Sequence, residues 1–190
     1  MLELSAATQE IDLFYLDESG FCMWTPVGYT YYFKGKQKRL EQTSRRGRRL
    51  SILGLWQPSV QFTYGLAIGS FTSDSYIRMM DEQASLAQQE LKRTGKIRVI
   101  VQDKGSIHKS QKVQQKWSEW ETMGLYLFFL PPYCSQMNPI EVEWHQLKAH
   151  ELLGQMFEDE LDLAYAVISG VEARAIAGGY SVDRFRFNSS

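Results

Sequence analysis

The stretch IDLFYLD, residues 11–17, predicts the central strand of the fold. Side chains of a strand alternate between its two faces, so Ile11, Leu13 and Tyr15 share one face, which Asp17 continues. The residues between them are also largely hydrophobic, which is typical of a strand covered on both sides. We therefore expect this strand to lie inside a sheet and to end at Asp17.

Three further stretches near the amino terminus have strand patterns. GYTYYF (28–33) predicts a short aromatic strand, and LSILGLW (50–56) and QFTYGLAIGSF (61–71) predict two more, separated by the turn QPS. Strands joined by such short turns pair antiparallel, so this part of the chain predicts an antiparallel meander.

From Ser73 onward the pattern alternates between helices and strands. Ser73 is a candidate N-cap of a helix that stops at Gly95, and a polar helix is predicted at about 108–122. Two strands, IRVIVQD and LYLFFL, flank that second helix, and a long helix is expected from about Asn138. The whole order predicts an α/β fold with a mixed sheet, in which an antiparallel meander is joined to parallel strands and flanked by helices.

Two aspartates end strands in this prediction. Asp17 and Asp103 each follow a hydrophobic strand, each on the face of its hydrophobic residues. If the strands are neighbours, the carboxylates converge beyond the strand ends, where ligands of open α/β sheets bind. Convergence of like charges is unfavourable without a cation, and Mg²⁺ prefers such oxygen ligands.

The start of the last helix offers a third carboxylate with two possible roles. Asn138, Pro139 and Glu141 match an N-cap, a first-turn proline and the glutamate of a capping box. The local sequence favours the capping role, but a first-turn side chain also lies at the helix end nearest the strand termini, so Glu141 is a candidate ligand as well. Glu143 is the weaker candidate because it lies on roughly the opposite helix face.

Basic residues are concentrated between residues 34 and 49, where a single glutamate accompanies eight cations in a chain of net charge −1. Such a segment is either a solvated loop or a surface that binds phosphates. Its basic residues are Lys34, Lys36, Lys38, Arg39, Arg45, Arg46, Arg48 and Arg49.

Three blocks of the sequence carry a family resemblance. YLDESGF, VIVQDKGSIHKS and LPPYCSQMNPIEVEWHQLK resemble the signature blocks of DDE transposases of the mariner superfamily, in its bacterial insertion-sequence branch. Thirty-seven residues separate Asp103 from Glu141, close to the spacing of that superfamily. The resemblance covers about residues 11–150, and it favours Glu141 as a catalytic carboxylate that could also cap its helix.

The resemblance implies an RNase H-like fold and a metal-dependent DNA reaction. Asp17, Asp103 and Glu141 would be the catalytic residues and would hold two Mg²⁺ or Mn²⁺ ions, one shared by Asp17 and Asp103 and one by Asp17 and Glu141. The reaction would be cleavage and transfer of DNA strands, with transposon ends and target DNA as partners. A homodimer is expected in the active complex, since transposition normally pairs two ends.

Other residues are predicted to contact DNA or to support the site. Lys148 is expected to contact a phosphate, and His108 either contacts DNA or orients a metal ligand. Tyr133 and Trp144 are predicted to pack around the helix start, with stacking on an unpaired base as the alternative. Lys104 departs from the resemblance, because relatives often carry asparagine after the second aspartate, and its charge would either oppose a metal ion or bind phosphate.

The expected organisation is one catalytic domain over residues 1–190, with a core at about 11–150 and C-terminal helices at 151–190. We expect no N-terminal helix-turn-helix domain in this chain, so a separate N-terminal DNA-binding protein is a predicted partner. The alternatives are a catalytically decayed DNA-binding or assembly remnant and another RNase H-like nuclease, such as a resolvase.

Composition restricts the class of protein further. The sequence has no hydrophobic run of membrane-spanning length and no signal-peptide pattern, so we expect a cytoplasmic, nucleoid-associated bacterial protein without membrane contact. Cys22 and Cys134 are too few for a disulfide framework and lack zinc-site spacing, which predicts free thiols.

Overall fold

A six-stranded mixed sheet organises the chain in the computed structural model, which describes residues 1–23, 47–105, 107–132, 134 and 137–187. The spatial order of the strands is β5-β4-β1-β2-β3-β6. Their bounds are β1 Ile11–Phe21, β2 Leu50–Gln57, β3 Gln61–Ile68, β4 Ile97–Gln102, β5 Leu125–Phe129 and β6 Ser181–Phe185.

Helices lie on both faces of this sheet. One helix continues directly into a π-helical turn, and a short 3₁₀ turn at Ile107–Lys109 precedes another. The helix bounds are α1 Leu2–Ala7, α2 Ser73–Thr94, α3 Gln111–Thr122, α4 Ile140–Gln146 with the π-helical turn Leu147–Glu151, and α5 Glu160–Gly178.

The strand pairing confirms the predicted sheet. β1 is central, with β2 antiparallel on one side and β4 parallel on the other. β3 pairs antiparallel with β2, which completes the meander, and β5 pairs parallel with β4. The strand predicted at residues 28–33 lies outside the described residues.

Two hydrophobic clusters cover the two faces of the sheet. Leu13 and Tyr15 of β1 pack with Val99 and Val101 of β4 in the first cluster, beneath α4 and α5. The intervening side chains, such as Phe14, belong to the second cluster, beneath α2 and α3. The period of two in IDLFYLD therefore separates two cores rather than a core from solvent.

Two predicted details of the elements are wrong. Thr72, not Ser73, is the N-cap of α2, since its side chain accepts a hydrogen bond from the Ser75 backbone N–H at 3.2 Å. The C-terminal region contains a strand as well as a helix, because β6 pairs parallel with β3. The predicted stop at Gly95 is confirmed: this residue ends α2 with φ of 79°, a left-handed conformation that glycine adopts without steric cost.

A buried arginine links α2 to the sheet. Arg98 of β4 is 7% exposed, and its Nη1 donates to Oε1 of Gln83 at 2.6 Å. Its guanidinium lies 4.5 Å from the centre of the Phe14 ring and 4.0 Å from a carboxylate oxygen of Asp12. A buried cation needs such partners, because leaving it without them is unfavourable.

We expect Gln83→Leu to lower the free energy of unfolding by about 2 kcal/mol, because it removes the closest hydrogen-bond acceptor of a buried cation. Gln89→Leu, on an exposed position of the same helix, is the matched control and should change stability by less than about 0.5 kcal/mol. Urea denaturation of the two variants measures the difference, and equal stabilities would contradict the role given to Gln83.

Candidate active site

The first two carboxylates of the site stand beside each other on neighbouring strands. The last pair of the parallel β1–β4 ladder is Tyr15 with Val101, so Asp17 and Asp103 each follow two residues after that pair. The two side chains therefore continue the same face of the sheet. The prediction that β1 ends at Asp17 is wrong, because β1 runs to Phe21 against β2 while β4 stops at Gln102.

Asp103 is held by the loop that follows β4. Its Oδ1 accepts from the Gly105 backbone N–H at 3.0 Å and lies 3.1 Å from Nδ1 of His108. The His108 ring is 5% exposed and packs 4.8 Å from the ring of Tyr76. His108 is thus buried against Asp103, which favours the orienting role over a direct DNA contact.

Two side chains attach the third segment of the site to β1. Nδ2 of Asn138 donates to the carbonyl oxygen of Leu16 at 3.1 Å, and Nε1 of Trp144 donates to Oδ2 of Asp17 at 3.0 Å. Glu141 lies between these two residues, in the first turn of α4. The attachment therefore brings Glu141 to the strand that carries Asp17.

The predicted capping box is wrong. Pro139 occupies the N-cap position of α4, and no side chain of the described residues caps this helix. Asn138 does not cap, because its amide is 3% exposed and its Nδ2 donates to β1, while its Oδ1 has no hydrogen-bond partner among the described residues. Glu141 therefore has no capping role in this structure, which leaves the catalytic one as its predicted function.

Burial and like charge act together on Asp17. Burial is the main cause that raises the pKa of the Asp17 carboxyl to about 6, and the charges of Asp103 and Glu141 raise it further. Hydrogen bonds from the Glu18 backbone and from Trp144 act in the opposite direction. Asp103 and Glu141 thus each lie close enough to Asp17 for their charges to act on its carboxyl.

Cationic side chains stand on one side of this acidic group. Nζ of Lys148 lies 5.5 Å from the centre of the Phe21 ring, close enough to Arg49 and Asp17 for their charges to affect it. Desolvation first, and then the Arg49 charge, lower the pKa of Lys148. Arg49 itself has a side chain that is 53% exposed and lies 3.8 Å from the carboxylate of Glu18.

The other predicted site residues divide into three groups. Arg48 and Lys104 are exposed. Glu143 is not part of the site, because its Oε2 accepts from Arg174 of α5 at 2.9 Å and from Tyr180 at 3.3 Å. The remaining basic residues, Lys34, Lys36, Lys38, Arg39, Arg45 and Arg46, lie outside the described residues, as does Tyr133.

The chemistry of the donors suits hard divalent cations. Among the described residues, no group of three or more His, Cys, Asp or Glu side chains is close enough to hold one ion together. Mg²⁺ commonly takes one or two carboxylates and completes its shell with waters and substrate phosphates. Pairs drawn from Asp17, Asp103 and Glu141 fit that requirement, and the mutual repulsion at Asp17 is what a cation would relieve.

Comparison with known families identifies the class of protein. A family profile described as DDE superfamily endonuclease matches residues 12–164, which is most of the chain. The chain belongs to this family. No curated protein sequence matches it.

Solved structures of Mos1 transposase have the same fold. The pre-cleavage Mos1 transpososome is 13% identical with a TM-score of 0.64, over 94% of this chain and 58% of that chain. The Mos1 paired-end complex with Mg is 14% identical with a TM-score of 0.64, over 91% and 52%. The Mos1 catalytic domain is 12% identical with a TM-score of 0.55, over 94% and 85%.

These matches confirm the predicted RNase H-like fold. This chain spans a little over half the length of the Mos1 chains in the complexes. Two other predictions were checked by the structure. Cys22 and Cys134 are free thiols, as predicted, and among the described residues no helix is both long and apolar enough to cross a membrane.

Without bound cations, the Asp17 carboxylate should destabilise the protein. A carboxyl whose pKa is raised on folding does not change the free energy of unfolding when it is protonated in both the folded and the unfolded state. The destabilisation develops as pH rises from about 4 to about 6. At pH 7.5 the cost is at most about 3 kcal/mol, since each pKa unit corresponds to about 1.4 kcal/mol. Asp17→Asn retains an acceptor for Trp144 and removes the charge.

We therefore expect Asp17→Asn to raise the melting temperature by several degrees at pH 7.5 in the presence of a chelator. At pH 4 the advantage should disappear, because Asp17 is then protonated in the natural protein. Thermal denaturation of both proteins across this pH range measures the effect. If the natural protein is at least as stable as Asp17→Asn at pH 7.5, the charge of Asp17 does not destabilise the fold.

Proposed function

We propose that this chain is the catalytic core of a transposase that cleaves and transfers DNA strands with divalent cations. The observation that carries the proposal is geometric: Asp17 and Asp103 follow neighbouring paired strands, and hydrogen bonds from Asn138 and Trp144 attach the segment that carries Glu141 to β1. Membership of the DDE superfamily endonuclease family supports the same reading, because the matched residues contain all three carboxylates.

The proposed ligands are Asp17 and Asp103 for one Mg²⁺ or Mn²⁺ ion, and Asp17 and Glu141 for a second. When bound, such a pair of ions stabilises the attacking and leaving oxygens of an in-line displacement at phosphorus. Asp17 is central to this scheme because it neighbours both other carboxylates. His108 and Gly105 hold Asp103 by its Oδ1, which supports the orienting role of His108.

The positive side chains beside the site are proposed to bind the DNA backbone. Lys148 and Arg49 lie near Asp17, and both are accessible to a phosphate. Exposed Arg48 and Lys104 are further candidates, together with the basic residues between 34 and 46. Exposure of Lys104 favours phosphate binding over competition with a metal ion, because its charge is not enclosed with the carboxylates.

The remaining partners follow from the relatives. Mos1 transposase has been solved in a paired-end complex with a transposon end and in complexes with Mg and with Mn. By analogy, we propose that this chain acts on transposon ends and target DNA as a homodimer. Its assignment to the bacterial insertion-sequence branch, and to a cytoplasm and nucleoid, belongs to the same proposal.

We expect Asp17→Asn, Asp103→Asn and Glu141→Gln each to lower Mn²⁺-dependent nicking of precleaved DNA by at least about a hundredfold, because loss of a ligand removes several kcal/mol of transition-state stabilisation. The matched control is Glu143→Gln on the same helix, two residues beyond Glu141. It should lose stability, through the lost Arg174 contact, while its nicking rate stays within about threefold of the natural rate. Full activity of Glu141→Gln would refute the assignment.

The binding-remnant alternative predicts a different result in the same assay. If the chain is a decayed enzyme, the natural protein should not cleave DNA and the Lys104→Asn variant should cleave it. A competent core should cleave DNA in both forms. If both proteins bind DNA and neither cleaves it with Mn²⁺, the remnant function replaces the proposed one.

We expect Lys148→Gln to weaken binding of DNA of any sequence and to reduce the slope of log affinity against log salt by about one, since one phosphate contact is lost. Lys92→Gln, at the carboxyl end of α2, is the control and should leave the slope unchanged. Fluorescence anisotropy at several salt concentrations gives both slopes. An unchanged slope for Lys148→Gln would place this residue outside the DNA interface.

A further inference from the structure

Trp144 makes a contact that packing alone does not require. The side chain is 5% exposed, and its ring meets Phe62 edge to face, with centroids 5.6 Å apart and planes at 78°. Its Nε1 donates to Oδ2 of Asp17 at 3.0 Å. A phenylalanine could fill much of this space, but it has no N–H to donate.

The sheet leaves space for the indole at one residue. Gly54 of β2 is the direct partner of Asp17 in the β1–β2 ladder. A Cβ added to Gly54 would lie 2.5 Å from Cη2 of Trp144, well inside the contact distance of two carbon atoms. The indole therefore spans from the position of Gly54 to the carboxylate of Asp17, and a larger residue at 54 would displace it.

We propose that Trp144 is a positioning residue for Asp17, and that Gly54 provides the space that allows it to act. The donor fixes one carboxylate oxygen, so the side chain of Asp17 keeps one orientation instead of sampling several. Partners of this kind commonly change metal affinity or activity by about 10- to 100-fold. The inference rests on the proposed function, in which Asp17 is a metal ligand.

The chain contains a matched control for this interaction. Trp120 of α3 is fully buried in the other core, and its Nε1 donates to Oδ1 of Asp81 at 2.8 Å. Trp120→Phe therefore removes the same type of hydrogen bond from Asp81, a carboxylate that is not one of the three of the site. Comparing it with Trp144→Phe separates loss of an indole N–H in general from loss of the one that meets Asp17.

The test measures Mn²⁺ affinity by calorimetry, nicking kinetics and melting temperature for both variants. Trp144→Phe should weaken Mn²⁺ binding about tenfold and lower kcat by about 10- to 100-fold, with little change in KM for DNA. Trp120→Phe should lower the melting temperature and leave Mn²⁺ affinity unchanged. The proposal would be overturned if Trp144→Phe had the same Mn²⁺ affinity and kcat as the natural protein. It would also be overturned if both variants lost Mn²⁺ affinity and kcat to the same extent.

A second measurement does not depend on activity. In protein labelled with ¹⁵N-tryptophan, Trp144→Phe identifies the indole N–H resonance of Trp144 by its disappearance. Asp17→Asn should shift that resonance, and Gly54→Ala should shift it too, because the indole must move. If Asp17→Asn leaves it unchanged, Trp144 does not hold Asp17 and the proposal is wrong, even where cleavage is normal. A shifted resonance in a chain that neither binds Mn²⁺ nor cleaves DNA supports the contact while refuting the proposed function.

Discussion

The attachment of α4 to β1 is the constraint on which the site depends. Asp17 and Asp103 are brought together by strand pairing, but Glu141 comes from a helical segment that follows β5 and is not part of the sheet. Hydrogen bonds from Asn138 and Trp144 fix that segment on β1, one before and one after Glu141. Each bond contributes only about 1 kcal/mol, so burial of α4 residues such as Ile140 must supply most of the attachment energy.

The same attachment brings the negative charge of Glu141 close to Asp17, and this lowers the stability of the folded state. Burial disfavours the charge of Asp17, which continues the face of the first hydrophobic core, and the charges of Asp103 and Glu141 add to that effect. A protein selected only for stability would place a neutral residue there, whereas a cation-binding site needs ionised oxygens. Arg98, buried with its partners in the opposite core, is the contrasting case, because its neighbours reduce the cost of its charge. Unfavourable electrostatics at Asp17 are therefore what the proposed cation site would require.

Much of the fold could be predicted because it depends on local periodicity. The alternation in IDLFYLD and IRVIVQD places Asp17 and Asp103 on one face, and the structure agrees. The role of Asn138 could not be predicted in this way, since the same residues suit a helix cap and its true acceptor, Leu16, is distant in sequence. Trp144 was predicted only to pack, although a buried indole N–H generally requires an acceptor. β6 was missed because its partner strand lies more than a hundred residues earlier.

The carboxyl-terminal elements also affect how this domain should be delimited. The family match ends at residue 164, inside α5, whose Val167 and Val171 belong to the first core. Arg174 of the same helix holds Glu143 of α4, and β6 covers the edge of β3. A recombinant fragment cut at the family boundary would expose that edge and loosen the helix that carries Glu141. The packed fold is therefore longer than the family match, and it includes β6, which ends at residue 185.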